Sequence, residues 1–221
     1  MGMLSSLDRA PLNDVLAELR GRASAQRAAG RTAARVNLAA DASAKERADA
    51  ASDAYMSISA TSGHLLYAMV RAIRPATVVE FGMSYGISTL YIAAALRDNG
   101  IGQVLTTELS PKKIAAASRT FAAAGVDDIV HILDGDALDT LQRVDGQEVG
   151  VVLLDGWKEM YLPVLQLIEK QLAKGALILA DNANNPGTAT YLEYVRNPEN
   201  GYTSLNLADK ERDSTELSCR V

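Results

Sequence analysis

The sequence is poor in cysteine, in long apolar runs and in excess positive charge. A single cysteine, Cys219, stands among 221 residues, so no disulfide can form between residues of this chain. A chain that needs no disulfide suits a reducing compartment, and the cytoplasm is the expected one. Cys219 lies in an alternating C-terminal pattern and reads as a buried structural thiol rather than a nucleophile. No apolar run approaches the ~20 residues needed to span a bilayer, which argues against a membrane partner. The opening MGMLSSLDRAPLNDVL lacks a basic segment followed by a hydrophobic core, so no signal peptide is expected. A formal net charge of −5 leaves no broad basic footprint for nucleic acid. Internal repeats, low-complexity tracts and proline-rich linkers are also missing.

What is present is ordinary for a globular protein, with 48% hydrophobic and 22% charged residues. The length suits one domain with a sizeable core and an appended N-terminal segment. Residues 1–55 are rich in Ala and Arg and helical by propensity. Leu12, Val15, Leu16 and Leu19 form one amphipathic face, which makes a homodimer packed through the N-terminal helices an expectation. A weaker helical stretch, Ala23–Ala60, breaks at Gly30 and reads as further helices, a partner surface or a lid. Its arginines, with Arg20, Arg22, Arg27, Arg31 and Arg35 in and before it, read as a solvated face.

Ser62–Arg74 carries apolar residues at helical spacing and stops before Pro75. From there strands and helices alternate. Strands are expected at Thr77–Phe81, Gln103–Glu108, Ile129–Leu133, Val149–Asp155 and Ala176–Asp181. Helices are expected at Ile87–Leu96, Lys112–Ala124, Ala137–Val144, Tyr161–Ala173 (closed by Lys174-Gly175) and Gly187–Arg196. Tyr202–Leu207 and Thr215–Val221 complete the chain as two strands joined by the charged turn DKERDS. This alternation predicts an α/β fold: a doubly wound, seven-stranded, mostly parallel sheet with an antiparallel C-terminal hairpin, plus N-terminal helices.

The chain is organised around Val151–Pro163, VVLLDGWKEMYLP. Its apolar run reads as a buried parallel strand, and in open α/β sheets ligands bind beyond the carboxyl ends of such strands. Asp155, Trp157 and Lys158 would then share the mouth of a site. The same residues also fit a strand end followed by a capped helix, and the stretch alone does not choose.

A second feature favours a site. Glu80-Phe81-Gly82-Met83-Ser84-Tyr85-Gly86-Ile87-Ser88-Thr89 links the first expected strand to its helix. Gly82 and Gly86 let backbone approach a ligand, and the helix start offers free N–H groups, with the Ser88 hydroxyl beside them. The spacing is not that of a dinucleotide or P-loop phosphate motif. Glu80 disfavours a diphosphate and suits a ligand with one carboxylate and one ammonium. Glu108 ends the second strand, where an acid can accept both hydroxyls of a ribose. After the third strand, Asp136 and the amide of Ala137 suit an adenine edge. Each acid alone could be a helix cap, but acids at three successive strand ends go beyond capping.

Together these residues resemble the class I S-adenosylmethionine-dependent methyltransferases, whose Rossmann-like fold matches the expected order. VVEFGMSYGIST, Glu108 and the DGDA turn stand where that family has them. The segments LDGWKEMYLP and KGALILADN, with Pro186-Gly187 after them, narrow the resemblance to metal-dependent catechol O-methyltransferases. It covers roughly residues 56–196, so residues 1–55 are expected as a helical extension serving as lid or dimer contact, and residues 56–221 as the methyltransferase domain. The resemblance implies S-adenosylmethionine as cofactor and Mg²⁺ or another divalent cation on Asp155, Asp181 and Asn182. Three oxygen donors, two of them anionic, suit that hard octahedral ion. Lys158 is implied as general base; its ordinary pKa of ~10.4 is too high for that work, and a nearby dication would lower it. Ile58, Glu80, Gly82, Ser84, Gly86, Ser88, Glu108, Asp136, Ala137 and Asp155 are implied to line the cofactor. Trp157, Lys158, Asn182 and Asn206 are implied to meet the substrate.

Two departures stand out. The acid that the catechol enzyme places near its sixth strand has no match at Leu205–Leu207, where Asn206 is the polar candidate. Gly156 replaces a bulkier residue and reads as an opening in the substrate rim. The implied function is Mg²⁺-dependent methylation of one hydroxyl of a small catechol-like diol. The alternatives are a sugar diol, a carrier- or peptide-borne catechol, or a non-catalytic adenosyl-binding module.

Overall fold

The computed structural model describes residues 4–30, 42–210 and 213–221. Strands β1 (Thr77–Phe81), β2 (Gln103–Glu108), β3 (Val130–Asp134), β4 (Val149–Leu154), β5 (Leu172–Ala180), β6 (Tyr202–Lys210) and β7 (Asp213–Arg220) form one sheet in the order β3-β2-β1-β4-β5-β7-β6. The first five pair in parallel, and β7, inserted between β5 and β6, runs antiparallel to both. The expected seven-stranded, doubly wound fold is therefore present.

Helices α1 (Leu12–Ala28), α2 (Ala44–Ala50), α3 (Ala60–Ile73), α4 (Ile87–Asn99), α5 (Pro111–Ala124), α6 (Ala137–Thr140), α7 (Tyr161–Ile168) and α8 (Ala189–Arg196) complete the described fold. Their ends follow local chemistry. Ser110 caps α5 and Pro111 opens it, while Gly125 closes it in the left-handed region. Ser43 and Glu46 form a capping box on α2. Among the described residues, no helix is long and apolar enough to cross a membrane.

Every residue of β1 and β4 is buried, as a sheet covered on both faces requires. Neighbouring Val78 and Val79 enter opposite cores, one under α1, α3, α4 and α5, the other under α6, α7 and α8. Leu12, Leu16, Leu19 and Ala23 of α1 are buried in the first of these cores. That face is thus packed within the chain. Arg22 pairs with Glu18 on the surface, while Arg20 instead donates to the Tyr91 hydroxyl at 2.6 Å. Arg31, Arg35 and the centre of the DKERDS turn lie outside the described residues.

The main difference from expectation is at β5. The helix expected to reach Ala173 stops at Ile168, and the strand starts at Leu172, running through Lys174-Gly175. Leu172 pairs with Val149, and a register shift follows, with Gly175 at φ +78°. The glycine serves an irregular strand start, not a helix stop. Cys219 is half-buried rather than buried, because polar Ser214, Thr215, Glu216 and Ser218 are the buried residues of β7. Arg196 holds the Glu216 carboxylate through two bonds of 2.7 Å each.

Candidate active site

The carboxyl ends of β1, β2, β3 and β4 surround an open cleft of about 590 Å³. Its wall includes Gly82, Ser84, Glu108, Ala137, Asp155 and Trp157, all named from the sequence, together with Met56 and Lys113, which were not. Ala48 and Ala51, at the C-terminal end of α2, close one side. Two close approaches create this shape. A Cβ on Gly82, whose φ is +100°, would lie 2.7 Å from the Gly156 amide nitrogen, so the β1 and β4 ends meet only with glycine there. A Cβ on Gly156 would lie 2.5 Å from the Phe81 ring. The space expected to be open at Gly156 is thus filled by Phe81, which removes the sequence's reason for a wider substrate rim.

Glu108 is fixed by three backbone donors: Ser84 N–H to Oε2, and Leu109 and Ser110 N–H to Oε1, each at 2.9 Å. Glu80 is fully buried and accepts hydroxyls from Thr89 at 2.6 Å and Thr106 at 2.5 Å, both on Oε2. Its Oε1 and the Ser84 hydroxyl are buried with no hydrogen-bond partner among the described residues. Burial pushes the Glu80 carboxyl above its ordinary range. Ser84 also sits at φ +51°, a strained value for a non-glycine residue. Orphaned buried oxygens are rare, and an ammonium with hydroxyl-rich neighbours would satisfy them, so the donor set fits the expected cofactor.

Other named positions stand off the cleft wall. Ile58 is buried in the core beside α3. Gly86 caps α4 at φ +86°, and Ser88 is buried in the first turn of that helix. Asp136 caps α6, accepting the Leu138 N–H at 2.9 Å.

The second cluster lies at the ends of β4, β5 and β7. The Asp155 N–H donates to Phe81 O at 2.9 Å and the Asp181 N–H to Leu154 O at 3.0 Å, which sets the two acids on adjacent strand ends. Lys158, in the turn Lys158–Met160, donates to Asp155 Oδ1 at 3.1 Å and to the Tyr161 hydroxyl at 2.7 Å. Tyr161 in turn donates to Asp181 O at 3.0 Å and is completely buried. Burial pushes the Asp155 carboxyl up to about 7; Lys158 opposes this and Asp181 adds to it. The Tyr161 hydroxyl is pushed well up, chiefly by burial.

Asn182 occupies the left-handed region at φ +57° and donates its amide to Asp213 Oδ2 at 2.5 Å. Thr215 donates to Asp181 Oδ1 at 3.2 Å. Among the described residues, no three His, Cys, Asp or Glu side chains cluster as a ready metal site. The candidate donors are two acids and the Asn182 amide oxygen, a hard all-oxygen set that fits a magnesium-like ion. Asn206 is drawn away: its amide donates to Ser214 at 3.0 Å and Glu216 at 2.9 Å. The acid that does lie beside Asn182 is Asp213, at the start of β7. Trp157 faces the cleft with the Arg47 guanidinium 5.4 Å from its ring centroid, and Arg47 also pairs with Glu159.

Comparisons with known proteins bear on the fold and the family. A family model described as a methyltransferase domain matches residues 79–183. Catechol O-methyltransferase B of Danio rerio is 35% identical over 148 residues, covering 64% of this chain and 55% of that protein. Catechol O-methyltransferase of Sus scrofa is 32% identical over 147 residues, covering 64% of this chain and 78% of that protein. The chain thus spans about half the length of the first relative and most of the second. The crystal structure of an O-methyltransferase from Bacillus cereus in complex with SAH superposes with a TM-score of 0.71. At 22% identity over 98% of this chain and 94% of that one, it establishes the fold alone.

Proposed function

The chain belongs to the catechol O-methyltransferase family of class I S-adenosylmethionine-dependent O-methyltransferases, and from that premise we propose that it methylates one hydroxyl of a small, catechol-like vicinal diol with the help of Mg²⁺. The observation that carries the reading is the junction of the cleft with the Asp155-Lys158-Tyr161-Asp181 chain of hydrogen bonds. In it Asp155, Asp181 and Asn182 hold the metal, and the open cleft takes the cofactor.

When bound, the metal makes a diol hydroxyl more acidic and the cofactor supplies an electrophilic sulfonium methyl. Lys158 takes the hydroxyl proton, held in place by Tyr161 and Asp155. Glu108 accepts the ribose hydroxyls. Glu80 and Ser84, with their unpartnered oxygens, receive the methionine end. Trp157 walls the substrate, and Asp213, bonded to Asn182, supplies the acid beside the diol in place of Asn206. Residues 1–55 act as an extension, with α2 over the cleft. The lone Cys219 supports a cytoplasmic setting.

Turnover of a catechol with radiolabelled S-adenosylmethionine tests this reading. Chelator should abolish it and added Mg²⁺ restore it. Full-rate turnover in excess chelator would remove the metal assignment, and failure to methylate any vicinal diol would remove the activity.

A further inference from the structure

One buried cation in the cleft wall has no role so far. Lys113, in the first turn of α5, is 4% exposed, although lysine is almost never buried unless paired. Among the described residues, the one hydrogen-bonding contact of its Nζ is to the Met56 sulfur at 3.9 Å. The Tyr85 ring centroid is 5.8 Å away. A thioether is a weak acceptor, and a ring face replaces only part of the water an ammonium gives up. Burial accordingly lowers the Lys113 pKa, while Glu108 and Asp155 pull it back up. The side chain lines the same cleft as Glu108, Ser84 and Met56.

The cleft around this amine defines its missing partner. Glu108 ends β2 and Lys113 follows in the adjoining helix, so a carboxylate and an ammonium face the cleft from one corner of the fold. A hydroxyl that donates its proton to a carboxylate still has lone pairs to offer. A vicinal diol is therefore the neutral group that satisfies an acid and an amine together. A second acid, Asp155, also offsets the lysine's charge, which would otherwise disfavour a cationic sulfonium nearby.

We propose that Lys113 is a further cofactor-binding residue, its amine donating to a ribose hydroxyl whose own proton goes to Glu108. This rests on the reading of the cleft as an S-adenosylmethionine site. The sequence did not mark it, because a Lys-Lys pair at a helix start reads as two solvated charges; its neighbour Lys112 is one, pairing with exposed Asp53.

Calorimetry on the full chain tests the assignment with two probes. S-adenosylhomocysteine carries ribose and the amino-acid end; 5′-deoxy-5′-methylthioadenosine keeps the ribose and lacks that end. Lys113→Met, which preserves the apolar stem, should weaken both by about tenfold or more, as loss of a charged hydrogen bond implies. Lys113→Gln, which keeps a neutral donor, should weaken both less, and it serves if the Met variant does not fold. A loss for S-adenosylhomocysteine alone would assign the amine to the amino-acid carboxylate and overturn the proposal. Unchanged affinity for both would overturn it as well. If the wild-type chain binds neither probe, the cofactor reading itself falls, and the proposal with it.

Discussion

The two halves of the site are built on opposite principles. At the ends of β1 and β2, polar atoms are left over among the described residues: Glu80 Oε1 and the Ser84 hydroxyl have no hydrogen-bond partner, and Lys113 has only a sulfur and a ring face. At the ends of β4, β5 and β7 the polar groups answer one another, Lys158 with Asp155 and Tyr161, Asn182 with Asp213, Thr215 with Asp181. The first half has the unmet valences that a zwitterionic nucleoside would complete. The second is a charge cluster closed on itself, in which Asp155 and Asp181 stand close enough to raise the proton affinity of Asp155. Leftover donors and acceptors point to a ligand made of hydrogen-bonding groups; repelling acids point to a cation.

The largest expected effect lies in the closed half. Lys158→Ala should lower kcat by about a thousandfold, within the range for loss of a general base. Affinity for S-adenosylhomocysteine, bound in the other half, should change by less than about threefold. A kcat near wild type would remove Lys158 as the base, and a matching collapse in affinity would show that the two halves are not separable.

The acids of that half should also leave a mark on stability. The Asp155 carboxyl is raised from an ordinary 3.8 to about 7 in the folded chain. A raised acid favours the protonated folded state, so its contribution is complete below about pH 4 and lost as pH rises through 7. At about 1.4 kcal/mol per pH unit, up to about 4 kcal/mol is at stake. Metal-free wild type should therefore lose stability relative to Asp155→Asn between pH 4 and 7, and the gap should level off above that. Parallel denaturant midpoints across this range would contradict the closed-cluster picture.

How legible these halves were differs for a physical reason. The strand ends at Asp155 and Asp181 could be read from apolar runs that stop at an acid, because both faces of a parallel sheet are buried. Those at Glu80 and Glu108 could be read from acids at or next to the last residue of a β-rich stretch. The glycine loop was legible for the same local reason. Features set by distant contacts were not. Asp213 reaches Asn182 across 31 residues, through the register of the terminal hairpin. Lys174-Gly175 carries the residues of a helix stop and of an irregular strand start alike, and only pairing with Val149 decides between them. Gly156 looked like vacant space because the sequence does not say that Phe81 points there.

That last point predicts a moderate effect. Gly156→Ala places a methyl group against the Phe81 ring, and overpacking of this kind costs about 1–3 kcal/mol. Because Phe81 and Gly156 both line the cleft, cofactor affinity should fall as well. A variant as stable as wild type, with a changed preference among diols and nothing else, would return Gly156 to the role of a substrate opening.

The smallest effects give the sharpest comparison, because their signs oppose. Removing a buried hydroxyl that has no partner relieves a desolvation cost, whereas removing one that is bonded forfeits that bond. Ser84→Ala, in the open half, should leave the ligand-free chain as stable as wild type or up to about 1 kcal/mol more so, while weakening S-adenosylhomocysteine binding. Thr215→Val, in the closed half, removes the 3.2 Å bond to Asp181 and should destabilise the ligand-free chain by about 1 kcal/mol. Its effect on S-adenosylhomocysteine should be negligible, since Thr215 lies away from the cleft wall. Denaturant unfolding without ligand and calorimetry with it would read both signs. If Ser84→Ala destabilised the ligand-free chain as Thr215→Val does, its hydroxyl would already have a partner, and the division into an open and a closed half would fail at its most exposed point.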